Sequence, residues 1–237
     1  MKVLMINGSP RAEGNTALAL REMEAIFREA GVDVITMQVG NKAIRGCIAC
    51  GKCAALGKCV FDDAVNDAAA LLPQVDGLVL ASPVYYASAN GNLISFLDRL
   101  FHSNHCDLTM KVGASVVCAR RGGCSATFDE LNKYFTISGM PVASSQYWNS
   151  IHGRLPGEAE QQAALVEHLR DAAGICFGDA LFQNVLPKIE VEALHAGFDF
   201  QGGAGFGKGF PPGGDLVPVK PVALKVQGLD LLVPAEL

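Results

Sequence analysis

Short apolar segments that alternate with stretches of helical periodicity are the feature that most restricts the fold of this chain. Residues Lys2–Asn7 (KVLMIN) form an apolar run that ends in a Gly-Ser-Pro turn, which predicts a buried strand. Apolar side chains then recur at helical spacing over Asn15–Glu29, and Gly31 marks the end of that helix. Further strands are predicted at 32–39, 77–82, 112–119 and 141–144, and further helices at about 90–103, 125–138 and 158–178.

This alternation predicts the fold class. Parallel strands joined by helices make right-handed crossovers, so the sheet is covered on both faces and ligands bind at the carboxyl ends of its strands. With five strands and a turn directly after the first, we expect an α/β protein: a flavodoxin-like three-layer sandwich with a five-stranded parallel sheet. The predicted domain spans residues 1–190.

The last part of the chain, residues 191–237, has a different composition. The stretch AGFDFQGGAGFGKGFPPGGDLVPVKP is dense in glycine and proline and has no helical period, so we interpret residues 191–237 as a C-terminal tail or arm. Its end, VALKVQGLDLLVPAEL, has two interpretations. It forms one or two short strands that pack on a partner subunit, or it is a disordered extension.

Composition and termini indicate where such a protein works. No apolar run approaches the roughly 20 residues that a membrane helix needs, and the N-terminal MKVLMINGSPR lacks the apolar region and cleavage site of a signal peptide. We therefore expect a soluble, cytoplasmic protein with no membrane partner. The net charge of -5 argues against nucleic-acid binding. In a reducing compartment, clustered cysteines are more often metal ligands or redox thiols than disulfides.

The loop GSPRAEGNT, residues 8–16, lies between the first strand and the first helix and is typical of an anion cradle. Small residues let backbone N–H groups approach a phosphate, Ser9, Asn15 and Thr16 offer side-chain donors, and the helix N-terminus adds its dipole. Arg11 adds a positive charge. The loop matches neither GxGxxG nor GxxxxGK[ST]. The alternative is an ordinary strand-to-helix turn in which an Asn or Thr caps the helix.

Two further loops follow predicted strands and would lie at the same edge of the sheet. SPVYYASANG, residues 82–91, offers backbone N–H groups and an aromatic wall to a flat cofactor, although paired tyrosines are more often packing residues. In CARRGG, residues 118–123, an arginine or the glycine amides could meet an electron-rich ring edge, or the loop is simply solvated. Together the three loops predict a mononucleotide site. The candidates in the second and third loops are Pro83, Val84, Tyr85, Tyr86, Asn90, Arg120, Gly122 and Gly123.

Four cysteines lie close together in GCIACGKCAALGKC, at positions 47, 50, 53 and 59. Three thiolates within seven residues, followed by a fourth after a turn at Gly57, suit a loop that curls around a compact iron-sulfur cluster. Zinc is less apt, because structural zinc sites usually draw paired cysteines from two separated knuckles. Unmetallated thiols, redox-active or buried, are the third possibility. Outside this segment, Cys118 and Cys176 are expected to be small buried hydrophobes.

These motifs resemble those of a known family. GSPRAEGNT, the cysteine segment ending in GKCVFDD, SPVYYASANGNLISFLDRLF, RRGG and MPVASSQYWNSIHG are similar to stretches of the flavodoxin-like NAD(P)H-dependent FMN reductases, and in particular of their iron-sulfur flavoprotein branch. The resemblance covers about residues 1–185 and leaves the Gly/Pro-rich tail outside the pattern.

The resemblance implies a role for each candidate. Ser9, Arg11, Asn15 and Thr16 would bind the FMN phosphate, residues 83–90 would border the isoalloxazine ring, and residues 120–123 would approach its other edge. Cys47, Cys50, Cys53 and Cys59 would ligate a 4Fe-4S cluster. NAD(P)H would donate electrons, a small molecule or a protein would accept them, and the chain would form a homodimer or a tetramer.

Three functional hypotheses follow. In the first, the protein is an FMN-dependent oxidoreductase that takes electrons from NAD(P)H and passes them to a flavin, a quinone or a one-electron carrier, with no protein acid or base. In the second, it is an electron-transfer protein like flavodoxin, without nicotinamide activity. In the third, it is a structural or regulatory protein with zinc in the cysteine loop and no flavin.

Overall fold

The computed structural model describes residues 1–144, 148–161, 223–226 and 229–232. The chain divides into two units, residues 1–178 and 179–237. The boundary predicted at residues 190 and 191, the greater part of the helix predicted at 158–178, and Cys176 lie outside the described residues. No helix among those described is both long and apolar enough to cross a membrane.

The first unit is a parallel sheet with helical connections. Its strands are β1 (Lys2–Asn7), β2 (Asp33–Gln38), β3 (Gly77–Pro83), β4 (Val112–Ala119) and β5 (Ser150–His152). Its helices are α1 (Asn15–Glu29), α2 (Cys53–Leu56), α3 (Ala64–Leu71), α4 (Gly91–Ser103) and α5 (Cys124–Ile137), with 3₁₀ turns at Leu72–Gln74 and Glu158–Gln161. The strand order β2-β1-β3-β4-β5, parallel throughout, is that of flavodoxin. The predicted fold is therefore confirmed.

The central strands are apolar because both of their faces are covered. Side chains alternate between the two faces of a strand, so Leu4 and Ile6 of β1 point away from Val3 and Met5. Leu4 and Ile6 belong to one buried cluster with side chains of α3, α4 and α5. Helix α1 contacts β1, β3 and β4 and buries its own apolar stripe, including Phe27. The helices thus form a layer on either side of the sheet.

The fifth strand lies elsewhere than predicted. The sequence suggested residues 141–144, but Val142 makes only one isolated parallel bridge, with Gly113 at the start of β4. The pairing resumes at Ser150–His152, beside the end of β4. The chain therefore leaves the edge of β4 and returns to it, and a short polar strand of three residues carries no apolar periodicity that a sequence could reveal. Helix α3 was not predicted either, although Asp63 caps it by accepting from the Val65 N–H at 3.1 Å.

The second unit contains an antiparallel pair, β6 (Ala223–Val226) and β7 (Leu229–Leu232). Ala223 pairs with Leu232 and Val226 with Leu229. The interpretation that short strands of this end pack on a partner subunit stays a prediction.

Candidate functional site

Loops that follow β1, β3 and β4 line one depression at the carboxyl edge of the sheet, where a flavodoxin-like fold binds its ligand. The space measures about 570 Å³, a volume that includes open solvent. Most of the sequence-predicted candidates line it: Ser9, Arg11, Asn15, Thr16, Pro83, Val84, Tyr85 and Arg120. Tyr86, Asn90, Gly122 and Gly123 do not belong to its lining.

The first loop leaves the N-terminus of α1 open to an anion. The N-cap residue is Gly14, in extended conformation, and no side chain accepts a hydrogen bond there. The first N–H groups of a helix have no partner within the helix and carry the positive end of its dipole. Neither Asn15 nor Thr16 caps the helix, so the loop is not the ordinary capped turn that we considered as an alternative. These groups fit a phosphate.

The backbone of this first loop makes close contacts with residues from other parts of the chain. Gly40, just after β2, lies so near that a Cβ on it would be 2.1 Å from the carbonyl oxygen of Gly8. The Asn90 side chain donates to that same oxygen at 2.8 Å, and Gln38 donates to the carbonyl of Ser9. The Ser9 N–H donates to Asn7 Oδ1 at 2.9 Å. The cradle is therefore fixed by long-range contacts as well as by its own sequence.

Asn90 lies behind the first loop instead of in the depression. Its Oδ1 caps α4 by accepting from the Asn92 N–H at 2.9 Å, and its Nδ2 donates to the Gly8 carbonyl. Its own N–H donates to Ser82 Oγ at 2.9 Å. Asn90 thus ties the loop after β3 to the loop after β1.

The segment after β5 forms a wall of the depression that sequence reasoning missed. Arg11 donates to the Arg154 carbonyl at 2.7 Å, and Asn15 Nδ2 donates to the Leu155 carbonyl at 3.0 Å. A Cβ on Gly153 would lie 2.4 Å from Asn15 Nδ2. The only signal for this wall was the resemblance of MPVASSQYWNSIHG, which did not assign a role to Gly153 or Arg154.

The second loop makes a tight turn with strained backbone. Tyr85 and Ser88 exchange two backbone hydrogen bonds, of 2.8 and 3.1 Å, around Tyr86 and Ala87. Both central residues have positive φ, 53° and 61°, as a type I′ turn requires. Residues other than glycine seldom adopt such angles, at a cost of about 1–3 kcal/mol each, and such strain clusters at functional sites. The turn leaves Tyr86 fully exposed and turns Tyr85 toward the depression.

Glu130 of α5 anchors this turn. Its carboxylate accepts from Ser88 Oγ at 3.0 and 2.9 Å and from the Ala89 N–H at 2.7 Å. Replacing Glu130 by Ala is expected to lower the free energy of unfolding by about 1–3 kcal/mol, because the Ala89 N–H loses its acceptor. Urea titration of Glu130→Ala measures this, and Asp129→Ala, at an exposed position of the same helix, is the control. Equal midpoints for the two variants would contradict the anchoring role.

The third loop joins the second. Gly123, with a φ of 96°, caps α5, and a Cβ on it would lie 3.0 Å from Ala87 Cα and from Val84 Cγ1. Arg120 is exposed and lines the depression, whereas nothing lies within 4 Å of a Cβ placed on Gly122. The glycine at 123 is therefore needed where the two loops meet.

Cys118, at the end of β4, also lines the depression. The thiol is buried as predicted, and burial raises its pKa to about 11, a rise that a hydrogen bond with Thr16 reduces and nearby Cys124 increases. Cys118 is consequently a neutral thiol at physiological pH and presents a weakly polar surface to a ligand.

The four clustered cysteines line a second, smaller space of about 350 Å³, which includes open solvent. Cys53 begins α2, and Gly57, with a φ of 66°, ends it, which places the predicted turn before Cys59. Cys47 and Cys50 are exposed, whereas Cys53 and Cys59 are partly buried. Ile48, Phe61 and Arg99 complete much of the lining.

This donor set suits a thiolate-bound metal in its chemistry, because four cysteines are among the residues that line one space. The Ala49 N–H donates to Cys47 Sγ at 3.4 Å. In the part of the chain that the structure describes, no three His, Cys, Asp or Glu side chains are close enough together to hold a metal ion. Cys47 and Cys50 lie on a segment without helix or strand, so their sulfurs can approach each other without the loss of regular secondary structure.

The fold and the depression together define a class: a flavodoxin-like α/β protein with an open depression at the carboxyl edge of its sheet. A family model described as NADPH-dependent FMN reductase matches residues 1–154. The chain belongs to this family, in its iron-sulfur flavoprotein branch.

Relatives agree with this assignment. An iron-sulfur flavoprotein of Methanocaldococcus jannaschii is 31% identical over 179 residues, which cover 72% of this chain and 93% of the relative. An iron-sulfur flavoprotein of Methanosarcina thermophila is 32% identical, over 60% of this chain and 76% of the relative. The crystal structure of RosB with a bound 8-demethyl-8-formylriboflavin-5′-phosphate intermediate has a TM-score of 0.61 at 14% identity, and covers 91% of this chain and 98% of RosB. At 14% identity, the similarity to RosB shows a shared fold only.

Proposed function

We propose that this protein is an FMN-dependent oxidoreductase that accepts electrons from NAD(P)H and passes them to a flavin, a quinone or a one-electron carrier through a 4Fe-4S cluster. The observation that carries the proposal is the depression itself, where an uncapped helix N-terminus and two strand-end loops face one space at the edge of the sheet. Family membership supports FMN as the occupant and oxidoreduction as the chemistry.

The first loop would hold the phosphate. Ser9 and Thr16 are buried and line the depression beside the open N-terminus of α1, and exposed Arg11 in the same lining supplies a positive charge. Asn15 adds an amide to the same loop. Charge-assisted hydrogen bonds of this kind are about twice as strong as neutral ones, so they fix one end of the ligand firmly.

The second and third loops would border the ring. Pro83, Val84 and Tyr85 offer an apolar and aromatic edge to the depression, and Arg120 of the third loop lines the same depression. Bound FMN supplies two-electron exchange with nicotinamide and one-electron exchange with other carriers, so the reaction needs no acid or base from the protein. The side chains of the depression bind and orient, and the neutral thiol of Cys118 does not add a competing nucleophile.

The cysteine segment would hold the cluster through Cys47, Cys50, Cys53 and Cys59. Its support is the space that all four cysteines line and the iron-sulfur flavoproteins among the relatives. The reducing cytoplasm is the proposed place of action, because clustered cysteines there are more often metal ligands than disulfides. Exposed Tyr85 and Tyr86 beside the depression favour a homo-oligomer, since aromatic residues are enriched at subunit interfaces.

A visible spectrum with an anaerobic NADPH titration tests the proposal. The purified and reconstituted protein is expected to show flavin bands with a broad iron-sulfur shoulder, and NADPH is expected to bleach the flavin bands. Cys53→Ala should lose the shoulder and keep the flavin, whereas Cys106→Ala, outside the segment, should keep both. Flavin bands that NADPH does not bleach would point to an electron-transfer protein, and absence of flavin after reconstitution would refute the proposal.

A further inference from the structure

Arg99 of α4 is a buried charge that the flavin site does not use. Its side chain is only 1% exposed, and it is the largest fully buried side chain of the described residues. A buried charge is expensive unless it is paired and every donor is satisfied. The hydrogen-bond partners of Arg99 therefore indicate its role in the protein.

The guanidinium group meets two acceptors side by side. Nη1 and Nη2 donate to the two carboxylate oxygens of Asp63, at 2.7 and 2.9 Å. Nε and Nη2 both donate to Cys59 Sγ, each at 3.3 Å. Nη1 also donates to the Arg45 carbonyl at 3.3 Å. These bonds occupy all five N–H groups of the side chain.

Cys59 is held on its main chain as well. Its N–H donates to Asn66 Oδ1 at 3.0 Å, and its carbonyl accepts from Asn66 Nδ2 at 3.1 Å. Cys47 and Cys50, by contrast, are exposed on the irregular part of the segment. Cys59 is thus a thiol with both backbone and sulfur fixed in place, toward which the other sulfurs can close.

The two hydrogen bonds that Arg99 donates to Cys59 Sγ favour a negatively charged sulfur. A neutral thiol is a weak acceptor, whereas a metal-bound thiolate carries negative charge and accepts such bonds well. Hydrogen bonds to cysteine sulfur also help to set the reduction potential of an iron-sulfur cluster. Because the reduced cluster carries more negative charge, donors from a cation stabilise it more than the oxidised form.

We propose that Arg99 is a positioning residue that fixes Cys59 Sγ as the anchoring ligand of the cluster and, through its two N–H···S hydrogen bonds, raises the reduction potential of the cluster. The inference rests on the proposed function, because it requires a cluster on this segment. Asp63 completes the arrangement by orienting the guanidinium in its bidentate pair.

Substitution of Arg99 in the reconstituted holoprotein tests the inference. Arg99→Lys keeps the charge but cannot reproduce the fork that reaches both acceptors. If Arg99→Lys does not fold, the double variant Arg99→Met with Asp63→Asn takes its place. It removes both charges, keeps a capping oxygen for α3, and leaves no unpaired carboxylate at position 63. Arg45→Lys is the matched control. The exposed Arg45 side chain lies over Phe61, 4.6 Å from the ring centroid, and the group of Arg45 that accepts from Arg99 is its backbone carbonyl, which the substitution keeps.

Three quantities are measured: iron and sulfide per chain under competition with a chelator, the midpoint potential of the retained cluster, and FMN content. We expect about a 10- to 100-fold lower chelator concentration to strip the cluster from either Arg99 variant, in line with other outer partners of metal ligands. The midpoint potential of the cluster in the Arg99 variants should move to more negative values, and their FMN content should stay unchanged. The Arg45→Lys protein should match the wild type in all three quantities.

Different failures have different signatures. In one case, an Arg99 variant loses thermal stability while its cluster keeps the wild-type potential and chelator resistance. That result would mean that Arg99 only connects α3 and α4, and it would overturn the inference. A wild-type protein that binds FMN but assembles no cluster would overturn both the inference and the cluster in the proposed function. A wild-type protein with a cluster, together with unaltered Arg99 variants, would overturn the inference alone.

Discussion

Replacing Gly40 by Ala is expected to weaken FMN binding by about 100-fold, equivalent to about 3 kcal/mol. An added Cβ would lie 2.1 Å from the Gly8 carbonyl oxygen and 2.3 Å from the Ser9 carbonyl carbon. Both are backbone atoms of the loop that we propose holds the phosphate, so relief requires the loop itself to move. Overpacking of this kind also lowers the free energy of unfolding, by about 1–3 kcal/mol.

Fluorescence titration of the apoprotein with FMN measures the first effect, and urea unfolding measures the second. Gly91→Ala is the control, because no atom lies within 4 Å of a Cβ at the start of α4. Gly40→Ala protein that folds and binds FMN with the affinity of the Gly91→Ala protein would contradict the assignment of the first loop to the phosphate.

Replacing Asn90 by Leu should lower the free energy of unfolding by about 2–4 kcal/mol. Loss of the side-chain cap of α4 costs about 1 kcal/mol. The buried Gly8 carbonyl also loses the donor at 2.8 Å, and an unsatisfied buried acceptor costs about 1–3 kcal/mol. The urea midpoint, with an unchanged slope, measures the total. FMN binding should weaken in the same variant, because the first loop loses one of its anchors.

A second substitution separates the two roles of Asn90. Asn90→Asp keeps an oxygen for the Asn92 N–H but removes the amide donor and sets a carboxylate against the Gly8 carbonyl. Its loss of FMN affinity should therefore match or exceed that of Asn90→Leu, although its helix cap is intact. If Asn90→Asp binds FMN as the wild type does, the tie to Gly8 does not position the cradle.

Local signals account for the parts of the fold that the sequence predicted. The bounds of β1 and α1 agree with prediction because an apolar run, a Gly-Ser-Pro turn and a helical stripe follow one another without interruption. The loops at the sheet edge were located for the same reason, since a parallel sheet brings the carboxyl ends of its strands together. Their assignment to FMN rests on the family and on the proposed function.

Contacts between distant residues account for what the sequence did not reveal. Glu130 reaches Ser88 across 42 positions, Asn90 reaches Gly8 across 82, and Asn15 reaches Leu155 across 140. None of these pairs has a periodicity or a motif of its own. β5 was misplaced for a similar reason, because its three residues form a strand only through the exposed edge of β4.

Helix α4 determines how far apart the two candidate sites lie. Asn90 at its N-terminus is tied to the phosphate loop, and Arg99 further along is tied to the last cysteine of the other segment. A helix rises about 1.5 Å per residue, so these two anchors are separated by about 14 Å along its axis. The helix acts as a rigid spacer within one folded unit. The distance over which electrons would tunnel between the two sites would therefore be fixed by the length of this helix and would not depend on a hinge motion.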